Sequence, residues 1–140
     1  MNIECIAGFA TITPDPAASA ALYRDSLGLS FKSKGDYLYM DRFPGSNHFG
    51  MWPLEEAALA CFNERAWPAH IPAPTATLEF ELASVRAVEA AVAEMKAAGQ
   101  VFVHETRTET WGQTLARFMS PENILIGLSY APWLHEPERL

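Results

Sequence analysis

The four histidines, the side chains best suited to acid–base or metal chemistry, are scattered along the chain. His48, His70, His104 and His135 have no HxxxH or HxH spacing that would bring two imidazoles to one metal from a single element. His104 precedes Glu105, but adjacent residues of a strand face opposite sides of a sheet and cannot chelate together. We expect surface or hydrogen-bonded histidines, with His48 and His104 the best candidates for a functional role.

Aromatic rings provide a second set of candidate site residues. Tyr39, Trp52, Trp67 and Trp111 fall on or beside predicted strands or in the segment between the two halves of the chain. Such rings stack on planar ligands and attract cations. Core packing or a dimer contact explains any one ring equally well.

Arg117 is the remaining candidate, because a charged group within an apolar strand is costly to bury without a partner. Three interpretations stay open: an anchor for an anionic ligand group, a salt bridge to Glu79 or Glu81 across the sheet, or exposure on the outer face. Ser-His-Asp and Cys-His sites assemble only in three dimensions and are not readable from spacing. The glycine patterns of phosphate and dinucleotide binding are absent from the sequence.

Composition limits the classes of partner. The chain has 140 residues, with 17 acidic against 10 basic side chains and a formal charge of −7, which argues against nucleic acid. There is no apolar run long enough to cross a bilayer, and the start MNIECIAGFA lacks a basic signal-peptide region. Cys5 and Cys61 have no metal-binding or disulfide pattern, which fits a reducing compartment. We expect a cytoplasmic protein with no membrane partner.

The first half of the chain predicts a strand, a helix and three further strands. Asp15 and Pro16 form a cap and first turn, and Gly28 provides the helix stop. The predicted elements are a strand over 3–13, a helix over 16–27, and strands over 29–33, 37–43 and 48–52.

The second half repeats this order. Thr77–Leu82 alternates polar and apolar residues as a half-buried strand does, and a helix with an apolar stripe runs from Ser84 to Gly99. Three strands follow, over 101–109, 113–119 and 124–130. The caps Asp15 and Ser84 are 69 positions apart and the two stop glycines are 71 apart, which indicates a duplication.

These elements predict one domain over 1–140. Its two repeats cover about 1–53 and 75–132, and a linker over 54–74 contains a short helix at 55–62. The tail over 132–140 is expected to lie on the surface or to be mobile.

Two groups of motifs resemble the vicinal-oxygen-chelate superfamily, which includes glyoxalases, extradiol dioxygenases and bleomycin-resistance proteins. Leu22-Tyr23-Arg24-Asp25-Ser26-Leu27-Gly28-Leu29 is similar to the family's FYrdvLGl helix ending. The turn Trp111-Gly112 and the stretch Ser120-Pro121-Glu122-Asn123-Ile124-Leu125-Ile126 resemble its WG and DPdGNlie motifs. The resemblance implies an α+β fold in which two βαβββ modules form a curved, cup-like mixed sheet, commonly as a homodimer.

The resemblance also implies where metal ligands would lie. The resemblance places three of the family's ligand positions on Gly8, Thr77 and Gly127, and the fourth position near His48. Glycine and threonine cannot form the usual coordination, so no metal and no cofactor are expected.

The sequence thus favours a metal-free protein that binds or sequesters a small aromatic or cationic compound. The predicted ligand-binding residues are Tyr39, His48, Trp52, Trp67, His104, Trp111 and Arg117. One alternative is a lyase, isomerase or dioxygenase-type enzyme, with a nonstandard metal site near His48 or with His104 or a glutamate as base. The other is a structural dimer that presents its sheet edge to another protein.

Overall fold

The chain forms one eight-stranded mixed sheet with helices packed against it. The computed structural model describes residues 1–41 and 43–136. The strands of the first half are β1 (Cys5–Thr13), β2 (Lys32–Lys34), β3 (Tyr37–Asp41) and β4 (His48–Pro53). Those of the second half are β5 (Ala76–Glu81), β6 (Arg107–Thr108), β7 (Thr114–Met119) and β8 (Leu125–Tyr130).

Three helices connect these strands. The first, α1 (Pro16–Ala20), continues as a π-helical turn over Ala21–Ser26; α2 is Leu54–Phe62 and α3 is Val85–Ala97. Two of them begin at a side-chain cap. The carboxylate of Asp15 accepts from the Ala18 N–H at 3.1 Å, and the Ser84 hydroxyl accepts from the Ala87 N–H at 3.0 Å.

The strand order is β2-β3-β4-β1-β5-β8-β7-β6, so the first strands of the two halves lie side by side at the centre. β1 pairs in parallel with β4 and antiparallel with β5, and β5 pairs in parallel with β8. The predicted α+β fold with a curved, cup-like mixed sheet is confirmed.

Two predicted strands differ from the structure. The strand expected over 29–33 is Lys32–Lys34, and that expected over 101–109 is reduced to Arg107–Thr108. The segment before Arg107 meets the sheet through a bond from the Val103 N–H to the Arg117 carbonyl oxygen. The His104 side chain contacts the adjacent Glu105 carbonyl, with Nδ1 and the oxygen 2.7 Å apart. Such local side-chain-to-backbone contacts favour a loop over the hydrogen-bond ladder of a sheet.

Other boundaries shift by a few residues. The predicted strand over 37–43 ends at Asp41, and Arg42 lies outside the described residues. Within the tail, Pro132–His135 forms a 3-10 turn, whereas 137–140 lie outside the described residues.

The helices cover the sheet unequally. α3 packs on the second half's outer face, where Val88 and Val92 meet Ala116 and Leu128. α2 closes one end of the cup, where Ala57 and Cys61 join a core with Ile12 and Leu125. No helix within the described residues is long and apolar enough to span a bilayer.

Candidate functional site

Strand register places a row of side-chain positions across the concave face. Asp41 pairs with His48, Gly8 with Glu79, Glu79 with Gly127, and Gly127 with Arg117. A Cβ at Gly8 would lie 3.2 Å from His48 Cβ, so Gly8 adjoins His48 and completes the row. Side chains alternate along a strand, so α3 covers Ala116 and Leu128 on the outer face while Arg117 faces the cup.

This face surrounds a cavity of about 730 Å³. Five aromatic rings line it: Tyr37, Tyr39, Trp52, Trp111 and Trp133. Phe9 also borders the cavity, but its ring stacks on Phe49, because residues 8 and 9 of β1 face opposite sides of the sheet. Seven charged side chains and one imidazole line it as well: Lys34, Asp41, Glu56, Glu79, Arg107, Glu109, Arg117 and His48. Apolar walls with a few converging polar groups are typical of small-molecule sites.

Most of the sequence-predicted residues meet in this cavity. Tyr39, His48, Trp52, Trp111 and Arg117 all line it. Trp67 is absent from the lining, since its ring packs edge-on against Phe62 and its Nε1–H donates to the Ile71 carbonyl at 2.9 Å. His104 is also absent from the lining and lies behind Arg117.

Glycines create room for side chains from neighbouring strands. A Cβ at Gly50 would overlap the Tyr37 ring, so glycine lets that ring lie flat on β4. A Cβ at Gly127 would lie 3.1 Å from Glu79 Cγ, so Glu79 leans across β8. Two positions without side chains are therefore covered by a tyrosine and a glutamate.

In the first half, a hydrogen-bonded chain joins Asp41, His48 and Tyr37. His48 Nδ1 lies 2.9 Å from Asp41 Oδ1, and its Nε2 lies 2.5 Å from the Tyr37 hydroxyl. If Nδ1 carries the proton, Nε2 accepts from Tyr37. Burial, followed by the charges of Glu79, Asp41 and Glu56, raises the pKa of Tyr37 far above its usual value, so Tyr37 stays protonated and can donate.

Carboxylates give this side of the cavity a negative character. A buried oxygen of Glu56, Oε2, has no hydrogen-bond partner among the described residues. Burial raises the pKa of Glu56, and the charge of Asp36 raises it further. Glu79 accepts from Gln113 Nε2 at 2.9 Å, and Gln113 Oε1 accepts from Trp111 Nε1 at 2.8 Å, which connects the glutamate to an aromatic wall.

In the second half, Arg117 is fully buried and forms a charge cluster with Glu109 and Arg107. Its Nη1 lies 3.1 Å from Glu109 Oε1 and 3.0 Å from His104 Nε2. Arg107 Nε donates to the same Glu109 oxygen at 2.9 Å. The guanidinium carbon of Arg117 lies 5.3 Å from the centroid of the Trp52 ring.

The ion partner of Arg117 differs from the expected one. Neither Glu79 nor Glu81 pairs with it, and it is not on the exposed face. Glu79 is held by Gln113, and the buried Glu81 accepts from Ser129, the Ala131 N–H and His135. Glu109 reaches Arg117 because the short β6 strand ends directly before it.

The metal positions implied by the family resemblance require one correction. The residue across from Gly8 is Glu79, two residues beyond the predicted Thr77, because Glu79 lies five residues before the cap Ser84 whereas Gly8 lies seven residues before the cap Asp15. The strands thus follow the 71-residue offset of the stop glycines.

These residues do not fit the family's metal site. Gly8 and Gly127 provide no donor, and both His48 ring nitrogens already have partners. Within the described residues, no group of three or more histidine, cysteine, aspartate or glutamate side chains is placed to hold a metal ion. Protein metal sites of this kind use three or more such ligands.

Sequence reasoning missed several residues of the cavity. Tyr37, Glu56, Glu109, Gln113 and Trp133 line it but were not predicted. The alternation of side chains along a strand could have identified Tyr37, because it lies two residues before Tyr39 on the same face. No local pattern marks the others, since loops, a helix end and the C-terminal turn bring them to the site.

Comparison with known proteins agrees with this architecture. A sequence profile described as "Glyoxalase/Bleomycin resistance protein/Dioxygenase superfamily" matches residues 6–128. No curated protein sequence matches the chain.

Several solved structures resemble the whole fold. One, described as the NAD-dependent benzaldehyde dehydrogenase of Legionella pneumophila, has a TM-score of 0.61 at 14% identity over 88% of this chain and 96% of its own. A glyoxalase/bleomycin resistance protein/dioxygenase superfamily member of Vibrio splendidus has a TM-score of 0.56 at 12% identity, with the same coverages. A Streptomyces coelicolor methylmalonyl-CoA epimerase variant bound to 2-nitronate-propionyl-CoA has a TM-score of 0.57 at 16% identity over 97% and 100%.

Proposed function

The chain belongs to the glyoxalase/bleomycin resistance protein/dioxygenase superfamily, and on this premise we propose that its cup binds a small aromatic, positively charged molecule without a metal. The observation that carries this proposal is the convergence of five aromatic rings and of the three carboxylates outside the arginine cluster, Asp41, Glu56 and Glu79, on one cavity of about 730 Å³. Sequestration requires affinity alone, so the site needs no catalytic group.

The polar wall favours a cation at the first-half end of the cavity. Glu56 has a buried oxygen there that lacks a partner within residues 1–41 and 43–136, and the raised pKa of Tyr37 reflects burial and the negative charges around its hydroxyl. A cationic group that approaches these carboxylates also meets aromatic faces, which attract cations by their quadrupoles. The −7 formal charge of the chain adds attraction at longer range.

Tryptophan fluorescence tests this proposal, because Trp52, Trp111 and Trp133 line the cavity. We expect aromatic cations to quench the emission in a saturable way, and isosteric neutral analogues to bind more weakly. Replacing Glu79 with Gln or Glu56 with Gln weakens cation binding about tenfold, the order of one charge-assisted contact. Glu55→Gln is the matched control, because Glu55 is exposed and lies 3.9 Å from Arg65. Equal binding of cations and neutral analogues contradicts the proposal.

A second candidate is an acid–base enzyme, and the hydrogen-bonded chain of Asp41, His48 and Tyr37 favours it. Such a chain fixes the imidazole and places His48 Nε2 to take the Tyr37 proton while the Tyr37 oxygen accepts a proton from a bound substrate, as general base catalysis requires. The similar methylmalonyl-CoA epimerase is an enzyme, although similarity at this identity concerns the fold alone.

Turnover of α-keto and thioester substrates by purified protein tests this second candidate. We expect His48→Ala and Tyr37→Phe to abolish any turnover while His70→Ala, outside the cavity lining, preserves it. If turnover survives both cavity substitutions, the hydrogen-bonded residues Asp41, His48 and Tyr37 are not the catalytic groups. Saturable ligand binding without turnover favours the first proposal.

We also propose that the chain forms a homodimer through the outer face of its first half. Apolar side chains on this side are exposed, including Ile6 at 52%, Phe9 at 39% and Leu27 at 59%. Phe9→Glu is expected to convert dimers to monomers in sedimentation experiments, whereas Val101→Glu in the second half is not. A monomeric wild-type protein at tens of micromolar contradicts this.

A cytoplasmic location is proposed on the two free cysteines, Cys5 and Cys61. Fractionation of cells that express the full chain tests it, and recovery outside the cytosol contradicts it.

A further inference from the structure

The guanidinium of Arg117 has a donor edge that the described part of the chain does not use. Of its five N–H groups, those on Nη1 face Glu109 and His104. The Nε and Nη2 atoms are buried and have no nitrogen or oxygen hydrogen-bond partner among the described residues, and the neutral thiol of Cys61 lies near the guanidinium. These two nitrogens form the in-plane edge that binds a carboxylate through two parallel hydrogen bonds.

The charges around Arg117 leave it incompletely neutralised. One carboxylate, Glu109, is shared by two guanidinium groups, those of Arg107 and Arg117. Burial lowers the pKa of His104 to about 4, so its Nε2 is a neutral acceptor at pH 7. Burial also raises the pKa of Cys61 to about 11, so no thiolate compensates the second positive charge. Among the described residues the cluster therefore carries a net positive charge, and its fully buried member, Arg117, favours an anionic partner.

We propose that the Nε/Nη2 edge of Arg117, beside Trp52, is a subsite for a carboxylate group of the bound molecule. The guanidinium carbon of Arg117 lies over the Trp52 ring, 5.3 Å from its centroid, and the free edge lies in the guanidinium plane. A planar aromatic acid suits this arrangement, since its ring stacks on neighbouring aromatic walls while its carboxylate lies in the plane of the donors.

The position of this subsite defines a class of ligand. Arg117 on β7 is separated from Glu79 on β5 by one intervening strand, β8. Two strand spacings correspond to about 10 Å. A molecule with a carboxylate at one end of an aromatic ring and an amine at the other spans this separation. This class rests on the proposed function, because the amine end uses the carboxylates assigned there.

Binding at this subsite requires a local rearrangement. Arg117 is fully buried, so an incoming carboxylate must displace a side chain that covers it. Trp52 is only partly buried and lies against the guanidinium, so we infer that its indole moves when the subsite fills.

Three matched probes test the subsite by calorimetry: para-(aminomethyl)benzoate, para-(aminomethyl)benzamide and para-methylbenzoate. We expect the benzoate with the amine to bind about tenfold more tightly than its amide, the order of a charge-assisted bidentate contact. Arg117→Lys keeps the charge that faces Glu109 but removes the bidentate edge, so it abolishes the preference for the benzoate over its amide. Arg65→Lys is the control, because Arg65 lies outside the cavity lining.

A measurement on the unsubstituted protein removes any dependence on the folding of the Arg117 variant. The Nε–H resonance of Arg117 in ¹⁵N NMR is expected to shift downfield on titration with para-methylbenzoate and to stay in place with para-methylbenzamide. Equal affinities for benzoate and benzamide, persistence of the preference in Arg117→Lys, or an unmoved resonance at millimolar probe overturns the subsite.

The probes also separate this inference from the proposed function. If the amine adds no affinity in the unsubstituted protein or in any variant, while para-methylbenzoate still binds through Arg117, the cation site alone is contradicted. If amine-bearing probes bind more tightly but the carboxylate and the carboxamide bind equally well, the Arg117 subsite alone is contradicted.

Discussion

Glu79 lies directly across from Gly127 in the β5/β8 pair and occupies the space that a side chain at Gly127 would fill. An added Cβ would approach Glu79 Cγ to 3.1 Å and Leu115 Cδ1 to 3.3 Å. The glycine thus determines that a glutamate from the neighbouring strand, and not a residue of β8, faces the cavity at this level.

Gly127→Ala is expected to lower the free energy of unfolding by about 1–3 kcal/mol, because the methyl group must push aside two packed side chains. Urea denaturation measures the change. In a double-mutant cycle with Glu79→Ala, which removes the nearer contact atom, the two losses should be less than additive. Strict additivity would show that Glu79 does not occupy this space.

Glu109→Gln is expected to destabilise the protein by about 3 kcal/mol, because it leaves two guanidinium groups without a carboxylate in a buried cluster. Glu105→Gln provides the matched comparison. Glu105 also pairs with a cation, Lys96, but is 84% exposed, so its loss should cost less than about 1 kcal/mol. Equal losses in guanidinium chloride denaturation would contradict the assigned role of the cluster.

Protonation of His104 is expected to reduce stability in acid. Burial lowers its pKa in the folded state to about 4, below the ordinary value of 6.5, so between these values the unfolded chain binds the proton and the folded chain does not. The free energy of unfolding should fall on the order of 2 kcal/mol between pH 6.5 and pH 4 from this group. His104→Gln keeps an acceptor for Arg117 and should flatten the profile; an unchanged slope would contradict the assignment.

Glu81→Gln is expected to loosen the C-terminal turn. The carboxylate of Glu81 is buried and accepts from Ser129, from the Ala131 N–H at 2.6 Å and from His135 at 2.8 Å. A carboxamide has one acceptor oxygen fewer, so at least one of these donors loses its partner. Hydrogen exchange of the Ala131 amide should accelerate, while that of Val88 in α3 stays unchanged.

The sequence predicts the fold well because the fold depends on local and repeated signals. The caps Asp15 and Ser84, the glycine stops and the period-two alternation in β5 all give elements at nearly their observed positions. These signals depend on neighbouring residues alone, so they are readable without a structure.

The site is less predictable because it depends on relations between distant strands. Thr77 and Glu79 face the same side, and only the pairing with Gly8 determines which one lies opposite it. The partner of Arg117 likewise depends on where the irregular segment before β6 returns to the sheet. A difference of two residues in the spacing from β5 to its helix cap changes the residue opposite Gly8 without leaving a mark in the local pattern.

The two outer strands of the sheet also affect how the protein behaves at high concentration. β2 has three residues, two of them the exposed Lys32 and Lys34, and β6 has two. Short edges offer few free backbone groups to an approaching strand, and the lysines of β2 repel a second copy by charge. The sheet is thereby protected from edge-to-edge growth into aggregates, and contacts between copies are directed to its faces.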